Sequence, residues 1–317
     1  MARPELHNPR LVAVWPGMGH VGVNAGIYLL SKLEMTAYAE FDSSALFDVD
    51  GVEVKEGLIR PARRPRNRLF HWADPDGKHD LLVFLGEAQP PMGKFAFCRE
   101  LVRYVQGLGV DRVYTFAAMA THMRPEHPSK VYAAATDADR LEELKKLDLT
   151  VVEDGQIGGL NGLLLGVAAD EGLSGACLLG EMPHIFAQLP FPKASLAVLE
   201  SFSALTGIKL DLSELSAQAE AVEEQLEELL GRIESQLRKQ NEGDEEEGES
   251  DGGFTPEPPD EADEEDTARI EELFDQAADD RSKAFELKQE LDKLGRFKEY
   301  EDRFLDLFRK ADGKGGS

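Results

Sequence analysis

The stretch VWPGMGHVGVNAGIYLL, residues 14 to 30, sets Gly17, Gly19 and Gly22 in the spacing G-x-G-x-x-G between an apolar strand-like lead and a helix-like run. Glycines so spaced permit a tight turn, close approach of backbone to a pyrophosphate, and snug packing of helix on strand. The N-terminus of the helix would turn free N–H groups and its positive dipole end toward phosphate. Acids stand about twenty residues on, where a ribose ligand belongs: Glu40 and Asp42 end the next apolar run. That chemistry is a nicotinamide dehydrogenase's.

Two other segments echo one another. In LLVFLGEAQPP (81–91) and ACLLGEMP (176–183) an apolar strand runs into Gly-Glu and a proline turn, which puts Glu87 and Glu181 just past strand ends. Ligands of open α/β sheets bind at the carboxyl ends of the strands. The segment FAAMATHMRPEHP (116–128) adds Thr121 and His122, and GQIGGLNGLLLGVAADEGL (155–173) adds Asn161. With Gly17, Gly19, His20 and Gly22 these residues outline a polar crevice. Within it His20 or His122 would be the general acid–base, and the two glutamates would orient a ribose-like or amide ligand. Each residue also has a structural reading. Glutamates after strands cap helices or bond loop N–H groups, small residues at helical spacing let a helix lie close to a sheet, and Asn161 can cap. There is no G-x-S-x-G and no G-x-x-x-x-G-K-[ST]; His122 and His127 lie five apart beside a proline that spoils helical ligand geometry. No metal and no cofactor are expected.

A strand-end crevice requires a sheet to hold it. Between residues 11 and 207 strand-like runs alternate with helical patterns, which points to an α/β domain with a largely parallel, two-sided sheet. Strands are expected at 11–15, 36–41, 51–59, 68–72, 80–86, 112–118, 130–135, 149–153 and 175–181. Helices are expected at 21–33, 93–107, 138–147, 159–171 and 193–206. Asp211 with Glu214 reads as a capping box, and Leu215, Ala219, Val222, Leu226, Leu229 and Ile233 then form a heptad stripe on a helix over 211–240. That helix either packs on its own domain or meets another subunit. Residues 241–266 are acidic, with glycine and proline, and read as a disordered linker. Beyond them, 267–310 reads as a helical hairpin whose short second helix carries Phe297, Tyr300, Phe304 and Phe308 on one side, with 311–317 a disordered tail. A lone hairpin of that size is marginal in water. Its aromatic stripe needs a surface on this chain's body, on a second copy or on another protein.

The formal net charge is -26. Residues 242–266 alone hold 14 Asp or Glu and no Lys or Arg. A surface of that sign repels phosphate, so neither nucleic acid nor an anionic membrane is an expected partner. The two cysteines, Cys98 and Cys177, read as reduced and packed. The start MARPELHNPR lacks a signal-peptide core, and no run reaches the roughly 18 apolar residues of a membrane span. The expected location is cytoplasmic.

Taken in order, WPGMGHVGVNAGIYL, VEVKEGLI, DLLVFLGEAQPP, TFAAMATHM, GGLNGLLLGVAADEGLSGACLLGEMP, PFPKASLAVLESF and LDLSEL resemble the proteasome assembly chaperone 2 family of bacterial and archaeal proteins, over about residues 10–240. The resemblance implies a three-layer α/β/α sandwich similar to purine nucleoside phosphorylases and peptidyl hydrolases of that fold, and a homo-oligomer. It makes the opening glycine loop a family signature. The family takes its name from relatives that help proteasome rings assemble, some through a C-terminal hydrophobic-Tyr-any-residue tail. This chain ends RKADGKGGS, so that anchor is not carried over. The expected function is a non-catalytic, homo-oligomeric interaction or assembly protein, with docking through the C-terminal helices; the alternative is a small-molecule enzyme or sensor using the crevice.

Overall fold

The computed structural model describes residues 5–47, 51–55, 57–147, 149–242 and 264–309. Five strands make the central part of an eight-stranded sheet: β1 (Arg10–Val14), β5 (Asn67–Trp72), β6 (Leu81–Gly86), β7 (Arg112–Thr121) and β10 (Ser174–Pro183). With β2 (Thr36–Glu40), β8 (Val131–Ala135) and β9 (Thr150–Val151) the order is β2-β5-β6-β1-β7-β10-β8-β9. The run β6-β1-β7-β10 is parallel, whereas β2, β5 and β8 join antiparallel, so the sheet is mixed toward both edges.

Strand side chains alternate between faces, and both faces are covered. On β1, Val12 and Val14 look toward α1 (Val21–Lys32) and α5 (Pro192–Thr206). Leu11 and Ala13 look toward α2 (Lys94–Gln106) and α4 (Gly159–Asp170). The same division holds for Val83 against Leu82 and Phe84 on β6, and for Leu178 against Cys177 and Leu179 on β10. This is why these strands read as continuous apolar runs. A fifth outer helix, α3 (Ala138–Lys145), is capped by the Asp137 carboxylate, which accepts from Arg140 N. The result is a three-layer α/β/α sandwich.

Three expectations need correction. Residues 51–59 do not form one strand: β3 (Val52–Lys55) and β4 (Leu58–Pro61) are an antiparallel hairpin separate from the main sheet. The long helix α6 spans Ser213–Glu242, with Asp211 accepting from Ser213, and buries Leu215, Ala219, Leu226 and Leu230. Leu229 and Ile233 turn out to solvent. A straight helix of 3.6 residues per turn drifts off a strict seven-residue stripe. Finally, residues 267–310 are not a two-helix hairpin. They form α7 (Glu264–Asp279), a short 3-10 turn, α8 (Ala284–Lys293) and α9 (Phe297–Asp306). The break falls where Asp280 accepts from Ser282 N and caps the turn. Of the acidic linker read over 241–266, α6 and α7 take the two ends, while 243–263 lie outside the described residues, as do 310–317.

The three C-terminal helices add a partial fourth layer over α1 and the β2–β5 edge. The rings of Tyr28 and Phe285 meet edge-on at 4.5 Å, and those of Phe70 and Phe308 at 6.0 Å. Ser31 Oγ donates to the carbonyls of Arg281 and Ser282, and Ala37 N on β2 donates to the Phe308 carbonyl. No helix among the described residues is long and apolar enough to cross a membrane.

Candidate functional site

The parallel strands β6, β1, β7 and β10 end on one edge of the sheet, and the loops there carry the residues singled out above. The loop from β1 to α1 is wedged between neighbours. Gly19 N donates to the Ala187 carbonyl and Phe191 N donates to the Gly19 carbonyl, which ties it to the β10–α5 connection. Gly19 and His20 have φ of +58° and +51°, the left-handed region that glycine favours. Gln89, on the loop after β6, donates through Nε2 to the Pro16 carbonyl and accepts at Oε1 from Leu160 N. The N–H of Gly19, which would have to meet a pyrophosphate, is therefore engaged by the chain itself.

The acids that complete a dinucleotide fingerprint are elsewhere. Glu40 ends β2, an edge strand separated from β1 by β5 and β6, and binds Arg66 through both oxygens at 2.7 Å. Asp42 accepts from Ser44 N. In a nucleotide-binding half the second strand lies beside the first; here the chain moves to the far edge instead, so neither acid reaches the glycine loop.

Nor do the two echoing glutamates meet. Three strand spacings separate β6 from β10, about 14 Å. Glu87 is 3% exposed. One of its oxygens, Oε2, accepts from Arg63 Nη2 at 2.5 Å and from Arg66 N at 2.9 Å, while Arg68 Nη2 lies 3.6 Å from Oε1. Asp302 of α9 completes this cluster, contacting Arg63, Arg66 and Arg68 together. Glu181, 8% exposed, accepts from Thr121 Oγ1 at 2.9 Å and from Tyr132 Oη at 3.3 Å, and its carbonyl accepts from Ser129 Oγ. Burial and the Glu181 charge both raise the Tyr132 pKa. Thr121 also accepts from Met123 N, so it holds a turn. His122 is exposed, 4.5 Å ring to ring from His184, whose Nδ1 lies 3.0 Å from the Thr121 carbonyl. Asn161 is buried on α4 with its side-chain oxygen unpartnered, and its carbonyl accepts from Thr115 Oγ1. Thus Thr121 and Glu181 come together with His122 near by, Glu87 belongs to a separate ionic cluster, and Asn161 is buried on α4.

Sequence reasoning missed both the arginine cluster and a second feature of this edge. The loops present aliphatic side chains to solvent: Met92 is 68% and Ile185 50% exposed, with Met18 and Leu189 also outside, and Phe95 on the first turn of α2 is exposed beside them. The arginines carried no signal because their partners are distant in sequence. The aliphatics did carry one, since Met92 stands between Pro91 and Gly93 in a loop that offers it no cover.

The proposed docking stripe faces inward. Phe304 and Phe308 are fully buried; Phe297 and Tyr300 pack within the C-terminal unit, 5.5 Å from Phe304 and 5.7 Å from Phe274. Of the three surfaces left open for it, the stripe takes this chain's own body, where Phe308 packs on Phe70 of β5; alongside, α8 and the turn before it cover Tyr28 and Ser31 of α1. Beside it Glu301, also buried, points toward the Glu87 cluster. Burial raises its pKa, Lys298 opposes this, and the Glu87 charge adds to it. A carboxyl whose pKa is higher folded than unfolded contributes stability below the unfolded value and loses it as pH rises through the folded value. Glu301→Gln is accordingly expected to raise the melting temperature at neutral pH, the gap over wild type closing as pH falls through the carboxylate range. Calorimetry across that range checks it; a variant less stable than wild type at neutral pH would mean that the Lys298 pair outweighs burial.

Known proteins share this architecture. The uncharacterised protein MJ1210 of Methanocaldococcus jannaschii is 30% identical over 234 residues, 71% of this chain and 84% of that protein. The crystal structure of PbaB from Pyrococcus furiosus, described as an archaeal proteasome activator, is 27% identical and superposes with a TM-score of 0.61 over 74% of this chain and 96% of that one. PbaA from the same organism, described as an archaeal homolog of proteasome-assembly chaperone, is 27% identical with a TM-score of 0.57 over 76% of this chain and 94% of its own. The sequence profile of the PAC2 family matches residues 11–230, taking in the whole sandwich and most of α6, and on that match the chain belongs to the PAC2 family.

Proposed function

We propose that this chain is a homo-oligomeric protein-interaction member of its family, acting in the manner of an assembly chaperone, and that it engages its partner through the strand-end edge. The observation that carries this reading is the chemistry of that edge. Its two glutamates bind the chain's own hydroxyl, guanidinium and N–H groups, while its loops hold aliphatic side chains out in water. Exposed apolar residues grouped on one face mark protein contacts. The relatives described as a proteasome activator and as an assembly-chaperone homolog suggest the proteasome core as the partner to try first. A small-molecule enzyme has less support, because Glu87 and Glu181, expected to act together, belong to two separate clusters.

Met92→Asp combined with Ile185→Asp tests the reading. Both side chains are at least half exposed, so folding stability should change by no more than about 0.5 kcal/mol. Binding to purified proteasome core subunits, followed by native mass spectrometry, should fall at least tenfold. Undiminished binding by the double variant would remove the edge from the interface, and failure of the wild type to bind would remove the proteasome as partner.

A further inference from the structure

The hairpin β3–β4 stands apart from the main sheet with its described side chains exposed, and one of its faces is apolar. Cross-strand partners share a face, and the register pairs Val52 with Pro61 and Val54 with Ile59. That face is therefore wholly apolar, yet Val54 is 68% and Ile59 73% exposed. With Arg64 it borders an open cleft of ≈ 690 Å³. A two-stranded ribbon is at best marginally stable in water unless something packs on it. The chain offers a second uncovered apolar pair, Leu229 and Ile233 on α6, both 39% exposed.

The two surfaces differ in charge. Of the six Lys or Arg in residues 51–68, Arg63, Arg66 and Arg68 are held in the Glu87–Asp302 cluster, which leaves Lys55, Arg60 and Arg64 in the arm segment against Glu53 and Glu56, whereas residues 213–234 carry seven Glu against one Arg, on a chain of formal net charge -26. Within one chain they do not meet, since all four aliphatic side chains remain in solvent. An apolar face in a basic segment and an apolar stripe on an acidic helix, both open on the same molecule, complement one another between molecules.

We infer that the β3–β4 arm of one copy packs on α6 of a second copy, near Leu229 and Ile233. Exchanged reciprocally, the contact is made twice about a two-fold axis, as in an isologous dimer. Val54 and Ile59 leave water against Leu229 and Ile233, and Arg60 and Arg64 lie along the glutamates of the helix. The inference rests on the self-association in the reading above and specifies where it occurs.

The full chain should be weighed by native mass spectrometry and analytical ultracentrifugation as wild type, Ile59→Asp and Ile233→Asp. The expected result is a wild-type dimer that weakens at least tenfold in either variant and at high salt, with circular dichroism and melting unchanged. Mixing the two variants should recover dimer, because one arm–helix contact is then intact. In a second experiment Ile59→Cys is mixed with Ile233→Cys. The native Cys98 and Cys177 are buried and free, their thiols pushed up to about 12 by burial, so only the introduced thiols should react. A mixed disulfide dimer is expected. A wild-type oligomer indifferent to both aspartates, or an Ile59→Cys dimer with itself in place of the mixed one, overturns the arm–helix contact while leaving self-association standing. A monomeric wild type overturns both.

Discussion

Gly22→Ala should destabilise the chain by about 2–3 kcal/mol, whereas Gly17→Ala should leave its stability within about 0.5 kcal/mol of wild type. A Cβ on Gly22 would lie 2.4 Å from the Phe116 carbonyl oxygen in the backbone of β7. No side chain can rotate away to relieve that overlap, so α1 would have to lift off the sheet. The gain of about 1 kcal/mol from alanine's better helix propensity does not offset it. At Gly17 the same added atom meets nothing within 4 Å, and the backbone there is extended, with φ of -164°. Thermal melts of the two variants test whether the third glycine of the motif packs helix on strand. If the loop cradled a pyrophosphate, the close approach would fall at the second glycine, Gly19, whose N–H the Ala187 carbonyl already holds. As a packing device the motif is sensitive at Gly22. Similar melting of the two variants would refute the packing account.

That contrast shows what the sequence could and could not say. The spacing of Gly17, Gly19 and Gly22 correctly signalled a strand, a tight turn and a closely packed helix, because those demands are local. Whether phosphate sits there depends on which strand comes next in the sheet, and the path from α1 to the far-edge strand β2 leaves no local trace. Most sandwich strands were legible within a residue or two, as in LLVFLG of β6, whereas β7 runs three residues beyond its expected end at 118. The arm was not: GVEVKEGLI alternates like one strand, and only Gly57, at φ +74°, marks the turn between β3 and β4. The break after α7 was hidden similarly, since Asp279 and Asp280 are tolerated on a helix surface and the capping bond to Ser282 N decides the matter.

The C-terminal cover, by contrast, had an unread signal at the other end of the chain. In VGVNAGIYLLSK of α1 nearly every residue from Val21 to Ser31 is buried. A helix apolar on all sides must be enclosed on all sides, and the sheet and α5 can enclose only part of it. The missing wall is α8 and the turn before it, with Phe285 on Tyr28, while the aromatic stripe of α9 finds its surface beside it on Phe70 of β5. Two segments some 250 residues apart thus each announced a need that the other meets, and the fold becomes readable when such needs are paired.

Phe308→Ala is therefore expected to undock the C-terminal unit, 264–309, without unfolding the sandwich. Phe308 is fully buried between Phe70 of the body and Phe304 of its own unit, at ring separations of 6.0 and 5.8 Å. Truncating a buried phenylalanine to alanine costs about 3–5 kcal/mol when the cavity cannot collapse. Here the loss falls on docking, because the ring bridges the two parts, and it weakens the Phe308 carbonyl bond to Ala37 N as well. The sandwich has its own core, and PbaB is covered over 96% of its length while about a quarter of this chain has no counterpart there. Hydrogen exchange should accordingly lose protection in α7 to α9 and along α1, while β7 and β10 exchange as in wild type, the pattern of a sub-global opening. The Arg63, Arg66 and Arg68 contacts to Asp302 should fail in the same event, so Asp302→Ala should produce the same exchange pattern more weakly. Equal loss of protection in β7 and β10 would mean that unit and body form one cooperative core, and unchanged exchange in α1 would mean that Phe308 does not hold the cover in place.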